Sequence, residues 1–203
     1  MEAEHTAVIN KTMADYMKND VFTTYPNSYV YVERTLENGS VREGLVGMVD
    51  LDAYDYTPGA ASAIRATERT VPERIPPRQR VRRDAPIELP HILMLCDDHD
   101  KVLIEPIGAK KAQLKKLYDF DLMAGGGHIC GRRIAGDAAD RLAAALCATG
   151  VGTDGAHPMR FAIADGNHSL AAARQCWLEK KKTLTPEQAA ADPARYALVE
   201  LVN

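Results

Sequence analysis

The order of apolar and polar residues predicts short strands joined by a few helices. Residues 4–18 carry apolar side chains at helical spacing, which predicts an amphipathic helix. Residues 29–34 and 41–49 are rich in β-branched and aromatic residues, and they flank Asn38-Gly39, a dipeptide that favours a tight hairpin turn. The chain is therefore predicted to begin with a helix and a β-hairpin.

The middle of the chain has a less regular pattern. Residues 71–90 are rich in proline and arginine, which predicts an irregular basic crossing, because proline interrupts long helices. Residues 91–96 and 101–105 are apolar runs on either side of Asp97-Asp98-His99-Asp100, and they predict a second hairpin that packs against the first. A helix is expected within residues 106–116.

The remaining pattern completes an α+β fold. It predicts strands over 118–123 and 128–134 around three glycines, followed by a helix over 137–149. In that helix Asp137 is the expected N-cap, and Leu142, Ala145 and Leu146 lie on one stripe. A strand over 159–164, a helix over 167–182 and a strand over 196–202 follow. We expect a mixed, largely hairpin-built sheet with helices packed on one face.

Domain organisation follows from the same pattern. We expect residues 1–203 to form one α+β domain, with a division into a hairpin-rich part (1–110) and a second part (111–203) as the alternative. The chain stops inside its last predicted strand, which indicates a truncated sequence.

Composition narrows the class of partner. The chain has 203 residues, of which 46% are hydrophobic and 26% charged, as in ordinary globular proteins. Its net charge of −3 argues against a protein that binds DNA by bulk attraction to phosphate. Its apolar runs are much shorter than the roughly 20 residues of a membrane helix. The four cysteines form no C-x-x-C pair, so we expect a cytoplasmic protein.

The segment Phe161–Ser169 contains the clearest candidate chemistry. An apolar run ends in Asp165-Gly166-Asn167-His168-Ser169, and a helical pattern follows. A strand, a tight turn and a helix start would direct the unpaired N–H groups of the first helical turn, and the positive end of the helix dipole, towards a bound phosphate. The alternative is a purely structural cap, in which Asp165 or Asn167 accepts hydrogen bonds from those amides.

Other chemical patterns are weaker. Glu68 and Thr70 form either part of an exposed ion pair or a general-base element beside an anion, with Arg74 or Arg78 holding phosphoryl charge. Residues 124–128 contain three glycines but lack the Gly-Lys-Ser/Thr ending of a phosphate loop, so they predict a hairpin turn. The histidines and cysteines lack the spacing of a structural zinc site.

Three segments resemble a known family. Ile163-Ala164-Asp165-Gly166-Asn167-His168-Ser169 resembles the Ile-Ala-Asp-Gly-His-His-Arg motif of the bacterial domain-of-unknown-function family 1015, with Asn167 and Ser169 in place of His and Arg. Residues 49–55 are similar to its Leu-x-x-Tyr-Asp segment. Residues 64–70 are similar to its His-Glu-x-Thr element, with Thr67 in place of His. Members of the family are longer, so the resemblance also implies a central fragment.

The resemblance implies a ParB/sulfiredoxin-like phosphate motif and a nucleotide ligand. The residues implied to bind ADP or ATP are Gly166, Asn167, His168, Ser169, Thr70, Arg74 and Arg78. The implied catalytic residues are Glu68 as general base, His168, and Asp165, which would position magnesium or the acceptor hydroxyl. The expected function is nucleotide-dependent phosphotransfer to a small hydroxyl substrate such as free serine, as in a small-molecule kinase. Two alternatives are a non-catalytic nucleotide- or phosphate-binding regulatory protein and a ParB-like DNA-associated protein.

Overall fold

The computed structural model describes residues 2–89, 91–148 and 159–203. Its helices are α1 (Glu2–Lys18), α2 (Ile75–Arg83), α3 (Glu105–Gly108), α4 (Asp137–Ala148), α5 (Asn167–Lys181) and α6 (Pro186–Ala191). Its strands are β1 (Ser28–Thr35), β2 (Val41–Asp50), β3 (Tyr54–Asp55), β4 (Ile64–Ala66), β5 (Ile92–Leu95), β6 (Lys115–Asp121), β7 (His128–Ala135), β8 (Phe161–Asp165) and β9 (Tyr196–Val202). Short 3-10 turns cover Leu51–Ala53, Pro72–Arg74, Lys111–Gln113 and Pro193–Arg195.

Within these described ranges the strands form one nine-stranded sheet in the order β3-β4-β8-β5-β9-β2-β1-β7-β6. The half from β9 to β6 is antiparallel. In the other half, β3, β4 and β8 run parallel, and β5 pairs antiparallel with β8 and parallel with β9. The prediction of an α+β fold with a mixed sheet and packed helices is confirmed.

Both hairpins of the antiparallel half follow the sequence prediction. In the first, Thr35 pairs with Val41, the Leu36 N–H donates to the Ser40 carbonyl over 2.8 Å, and Gly39 adopts a φ of 82°. That φ suits glycine because it lies in the left-handed region. In the second, β6 and β7 are joined through the glycine-rich segment predicted to be a turn. Both connections therefore contain the turn-forming residues that the sequence pattern indicates.

The segment 71–90 contains a helix, and our prediction of an irregular crossing was wrong. Helix α2 occupies its centre and packs against α5. Pro76 and Pro77 lie in the first turn of α2, where backbone N–H groups have no partner within the helix. Proline therefore removes no hydrogen bond at these two positions.

The predicted hairpin over 91–105 was also wrong in its second half. Strand β5 forms, but residues 101–104 form a loop. The buried Asp98 carboxylate accepts hydrogen bonds from the N–H groups of Val102 over 3.1 Å and Leu103 over 2.7 Å. These bonds replace the ladder of a hairpin. The helix expected within 106–116 is limited to the single turn of α3 and the 3-10 turn at Lys111–Gln113.

Helices α4 and α5 form as predicted, with small differences at their ends. The amides of Ala139 and Asp140 donate to the Gly136 carbonyl, so Asp137 is the first helical residue instead of the predicted N-cap. The predicted end of α4 at Thr149 lies outside the described residues. In α5, Trp177 is fully buried and its indole N–H donates to Asp52 over 2.9 Å. This contact anchors the helix that carries the Asp-Gly-Asn-His segment.

None of the helices within the described ranges combines the length and the apolarity that crossing a lipid bilayer requires.

Candidate functional site

A tight turn joins β8 to α5. Strand β8 ends at Asp165, Gly166 has a φ of 88°, and α5 begins at Asn167. A Cβ at position 166 would lie 3.0 Å from Ile92 Cγ1 and 3.3 Å from Ile92 Cα. The left-handed conformation and the close approach of β5 both require glycine here. The Asp165 carboxylate accepts the Gly166 N–H over 2.7 Å.

The side chain of Asn167 binds the segment that follows β4. Asn167 is 2% exposed. Its Oδ1 accepts from the Thr67 N–H over 3.3 Å, and its Nδ2 donates to Thr67 Oγ1 over 3.4 Å. The Thr67 hydroxyl in turn donates to the Ile163 carbonyl. Residues 67 and 167, where the chain differs from the motifs it resembles, are therefore direct partners.

The side chain of His168 contacts the same segment. Its Nε2 accepts the Val71 N–H over 3.1 Å, which places the ring proton of the neutral imidazole on Nδ1. Nδ1 lies 3.4 Å from Glu68 Oε1. The His168 residue is 8% exposed, whereas the Glu68 side chain is 57% exposed. Two candidate catalytic residues that are distant in sequence thus meet at the start of α5.

The first-turn amides of α5 have no acceptor among the residues that the structure describes. No side chain caps the helix, and none of the described residues accepts a hydrogen bond from the backbone N–H of Asn167, His168 or Ser169. The structural alternative, in which Asp165 or Asn167 caps these amides, was wrong, because the two side chains bind Gly166 and Thr67 instead. The turn keeps three N–H groups at the positive end of the helix dipole.

The other predicted binding residues lie around this turn at different depths. Arg78 and Ser169 line the same cavity between α2 and α5. The hydroxyl oxygen of Thr70 is buried and has no hydrogen-bond partner within the described ranges. Arg74 is exposed, and its carbonyl accepts from the Arg78 guanidinium over 2.8 Å. The structure thus leaves Arg74 at the surface, and Thr70 directly precedes Val71, whose N–H binds His168.

A second cavity lies between residues 55–60 and 65–69. Its volume is about 550 Å³. Thr67 and Glu68 line it together with Asp55, Arg65 and Arg69. A substrate in this cavity would have direct access to the exposed carboxylate of Glu68.

In the part of the chain that the structure describes, no group of three histidine, cysteine, aspartate or glutamate side chains could hold a metal ion. Asp165 provides a single exposed carboxylate. Magnesium commonly binds through one or two carboxylates together with substrate phosphates and water, so this donor set fits magnesium only with a phosphorylated ligand.

A charged cluster around a buried glutamate was missed by sequence reasoning. Glu200 is 2% exposed on β9, its Oε2 binds His91 Nε2, and its Oε1 lies 3.3 Å from Arg42 Nε. The missing side chain of Gly44 leaves room for it, since a Cβ there would lie 2.6 Å from Glu200 Oε1. A lone glutamate inside the apolar run Ala197–Val202 is the signal that could have revealed the cluster.

The hydrogen bond between Glu200 and His91 affects the ionisation of both groups. Burial raises the pKa of Glu200, but the bond to His91 and the charge of Arg42 outweigh it, so the net pKa is below its ordinary value. The bond to Glu200 raises the pKa of His91, against the opposing effects of burial and Arg42. The geometry therefore favours an ion pair.

The fold and the turn define the class of protein: an α+β domain in which a glycine turn joins a strand to a helix whose second residue is a buried histidine. The family described as "Protein of unknown function (DUF1015)" matches residues 1–203, so the chain belongs to this family. The resemblance based on the sequence motifs is confirmed. Comparison with curated proteins and with solved structures found no match.

Proposed function

We propose that the chain binds a nucleotide through its phosphates at the first turn of α5 and transfers a phosphoryl group to a small hydroxyl substrate, with free serine as the leading candidate. The observation that carries this proposal is the contact between Glu68 Oε1 and His168 Nδ1, 3.4 Å apart, beside the uncapped start of α5. A carboxylate, an imidazole and free amides are the groups that phosphoryl transfer uses.

The phosphate site consists of the backbone N–H groups of Asn167, His168 and Ser169. Preorganised amides and the helix dipole stabilise negative charge without needing a cationic side chain at position 169. We also propose that this turn is a ParB/sulfiredoxin-like phosphate motif. The φ of Gly166 supports this proposal, because it turns the chain sharply from β8 into α5.

Glu68 acts as the general base in this proposal. His168 Nδ1 lies 3.4 Å from one carboxylate oxygen of Glu68, and it carries the ring proton of the neutral imidazole because Nε2 accepts the Val71 N–H. The carboxylate takes the proton of the substrate hydroxyl as that oxygen forms a bond to the terminal phosphorus. The bond from this phosphorus to the bridging oxygen breaks, and the nucleotide leaves with one phosphate fewer.

Magnesium fits this arrangement with Asp165 as its protein ligand. When bound to the nucleotide, the ion neutralises charge on the phosphate oxygens. Asp165 is exposed, and one of its oxygens accepts the Gly166 N–H, which fixes the carboxylate beside the phosphate site.

A non-catalytic nucleotide-binding regulator is the second candidate function. It is favoured by the side-chain contacts of Asn167 and His168, which are both directed to the 67–71 segment. A site whose polar side chains serve the protein itself can bind a phosphate through its backbone and perform no chemistry.

Calorimetry with ATP, ADP and AMP, followed by a phosphotransfer assay with serine, tests the proposal. Glu68→Gln should lower phosphoserine formation by about 100-fold or more and leave the heat of nucleotide binding unchanged. Glu73→Gln is the matched control, since Glu73 is an exposed glutamate in the neighbouring 3-10 turn. Nucleotide binding without any phosphorylated hydroxyl would favour the regulator. Absence of both binding and phosphotransfer would remove the proposal.

A further inference from the structure

The antiparallel end of the sheet has two chemically different faces. Strands β2, β1, β7 and β6 are neighbours there. The side chains of Tyr31 and Leu45, which lie opposite each other on β1 and β2, share one face and are almost fully buried. Successive residues of a strand point to opposite faces, so Arg34, Arg42 and Arg133 share the other one. We call it the basic face.

Like charges lie directly opposite each other at two places on the basic face. Arg34 on β1 pairs in register with Arg42 on β2, and Lys115 on β6 pairs with Arg133 on β7. Directly opposed like charges destabilise a sheet unless a counter-charge is present. Arg42 has such a counter-charge, because its Nε lies 3.3 Å from the carboxylate of the buried Glu200.

The other three cations have no counter-charge within the described ranges. Arg34 and Arg133 donate to carbonyl and hydroxyl oxygens, and Lys115 lies over a tyrosine ring. A guanidinium has more N–H donors than these contacts use, so both arginines keep donors for a ligand. Among the described residues of the four strands, Asp50 provides the one carboxylate on the basic face, and Arg195 Nε binds it over 3.0 Å. The face therefore carries unneutralised positive charge.

Two aromatic rings lie beside these cations on the edge strand β6. Tyr118 pairs with Gly131 and Phe120 with Ile129, which places both rings on the basic face. A Cβ at Gly131 would overlap the Tyr118 ring, so this ring lies directly over the glycine. The centroids of the two rings are 6.0 Å apart, and Phe120 is 50% exposed. Exposed rings next to cations are the elements on which the bases of a single strand stack.

We propose that the basic face binds a single-stranded nucleic acid, with its phosphates paired to Arg34, Lys115 and Arg133 and its bases stacked on Phe120 and Tyr118. A single strand fits better than a duplex because its bases are free to stack. The net charge of −3 does not oppose binding, since the cations are concentrated on one face. Strands β5, β9 and β2 lie between β8 and β1, so this surface is separate from the start of α5.

Fluorescence anisotropy with a labelled oligothymidylate of about 15 nucleotides tests the proposal. The logarithm of the affinity should fall with the logarithm of the salt concentration with a slope of about −2, since each of the three phosphate contacts contributes about −0.7. A duplex of the same length should bind about tenfold or more weakly, because its bases are already stacked. Excess ATP should not displace the oligonucleotide.

The aromatic contact is tested by Phe120→Ala. Loss of one stacked base should weaken binding of the oligonucleotide about tenfold. The matched control is Met123→Ala, because Met123 is 89% exposed in the connection between β6 and β7 and lies outside the basic face. It should leave the affinity unchanged.

The charge contact is tested by two neighbouring lysines. Lys115→Ala removes one phosphate contact and should make the salt slope shallower by about 0.7. Lys116 lies on the opposite face, where it binds Asp119, so Lys116→Ala should leave the slope unchanged. Both lysines are exposed, so neither variant disturbs the core.

Three results would overturn the proposal. The first is the absence of oligonucleotide binding, including the case in which the chain binds phosphatidylglycerol vesicles instead. The second is equal affinity for the single strand and the duplex, which would exclude stacking on the rings. The third is an equal effect of the two lysine variants, which would place the nucleic acid elsewhere on the protein.

Discussion

Asn167 holds Thr67 at two points, through Oδ1 to its backbone N–H over 3.3 Å and through Nδ2 to its hydroxyl oxygen over 3.4 Å. These are the two positions at which the chain replaces histidines of the motifs that it resembles. Because the two residues contact each other, both replacements affect the same pair of hydrogen bonds. The contact fixes the segment that carries Glu68 against the start of α5.

A double-mutant cycle should reveal this partnership. Thr67→Val should lower the free energy of unfolding by about 1–2 kcal/mol, because it leaves the amide group of the buried Asn167 without its acceptor. Asn167→Ala should lower it by about 1 kcal/mol, because the Thr67 N–H then loses its acceptor within the protein. The double variant should lose less than the sum, with a coupling of about 1 kcal/mol. Urea unfolding followed by the fluorescence of Trp177, the single tryptophan, measures all four proteins.

The control for this cycle pairs Thr67→Val with Asn38→Ala in the exposed turn between β1 and β2. These two effects should add, since distant sites act independently. Additive effects for Thr67 and Asn167 as well would show that the two hydrogen bonds contribute nothing as a pair.

Gly166→Ala should be more destabilising than Gly136→Ala. Both glycines have positive φ values, 88° and 58°, so alanine is strained at either position by about 1–2 kcal/mol. At position 166 the new Cβ would press against Ile92, whereas at position 136 none of the described residues lies within 4 Å of it. We expect an additional loss of about 1 kcal/mol from overpacking. Equal shifts in chemical denaturation would contradict the close approach of β5.

Asp98→Ala should destabilise the loop that replaces the predicted hairpin. The substitution leaves the N–H groups of Val102 and Leu103 without their acceptor, and Leu103 is buried. We expect a loss of about 2–3 kcal/mol and faster hydrogen exchange at both amides. Asp100→Ala, an exposed residue of the same loop, is the control and should change little. Unchanged exchange at Leu103 in the Asp98 variant would contradict the structure.

The pair of Glu200 and His91 should make stability depend on pH. The pKa of His91 is raised from 6.5, so its contribution is complete below 6.5 and is lost as pH rises through the folded value. The pKa of Glu200 is lowered from 4.5, so its contribution is present above 4.5 and is lost as pH falls through the folded value. Arg42 and Tyr118 are the other groups whose charges interact with Glu200.

His91→Gln should therefore be most destabilising near pH 5.5 and less so near pH 8. At the lower pH we expect the substitution to reduce the free energy of unfolding by only about 1 kcal/mol, because the His91 side chain is 54% exposed and solvent weakens the pair. Thermal unfolding across this range measures it. His99→Gln, in an exposed loop, should show no such profile. A constant gap between wild type and the His91 variant would refute the ion pair.

The elements that the sequence predicted correctly are those whose conformation depends on residues close together in the chain. Asn38-Gly39 suits its turn without help from the rest of the protein, and the spacing of apolar residues in α5 is a property of that helix alone. Helix α2 was missed because proline was treated as a breaker, although Pro76 and Pro77 lie in the first turn. The loop after β5 was missed because an apolar run does not distinguish a strand from a buried loop held by one aspartate.

The sequence by itself determined the α+β class, two hairpins, the strand-to-helix turn at Gly166 and membership of the family. Only the tertiary structure decided that Glu68 meets His168, that Thr67 meets Asn167 and that the buried Glu200 pairs with His91 and Arg42. The physical reason is the range of the forces involved. Turns and helices depend on contacts within a few residues, whereas these pairs join residues brought together by sheet order and by the packing of α5.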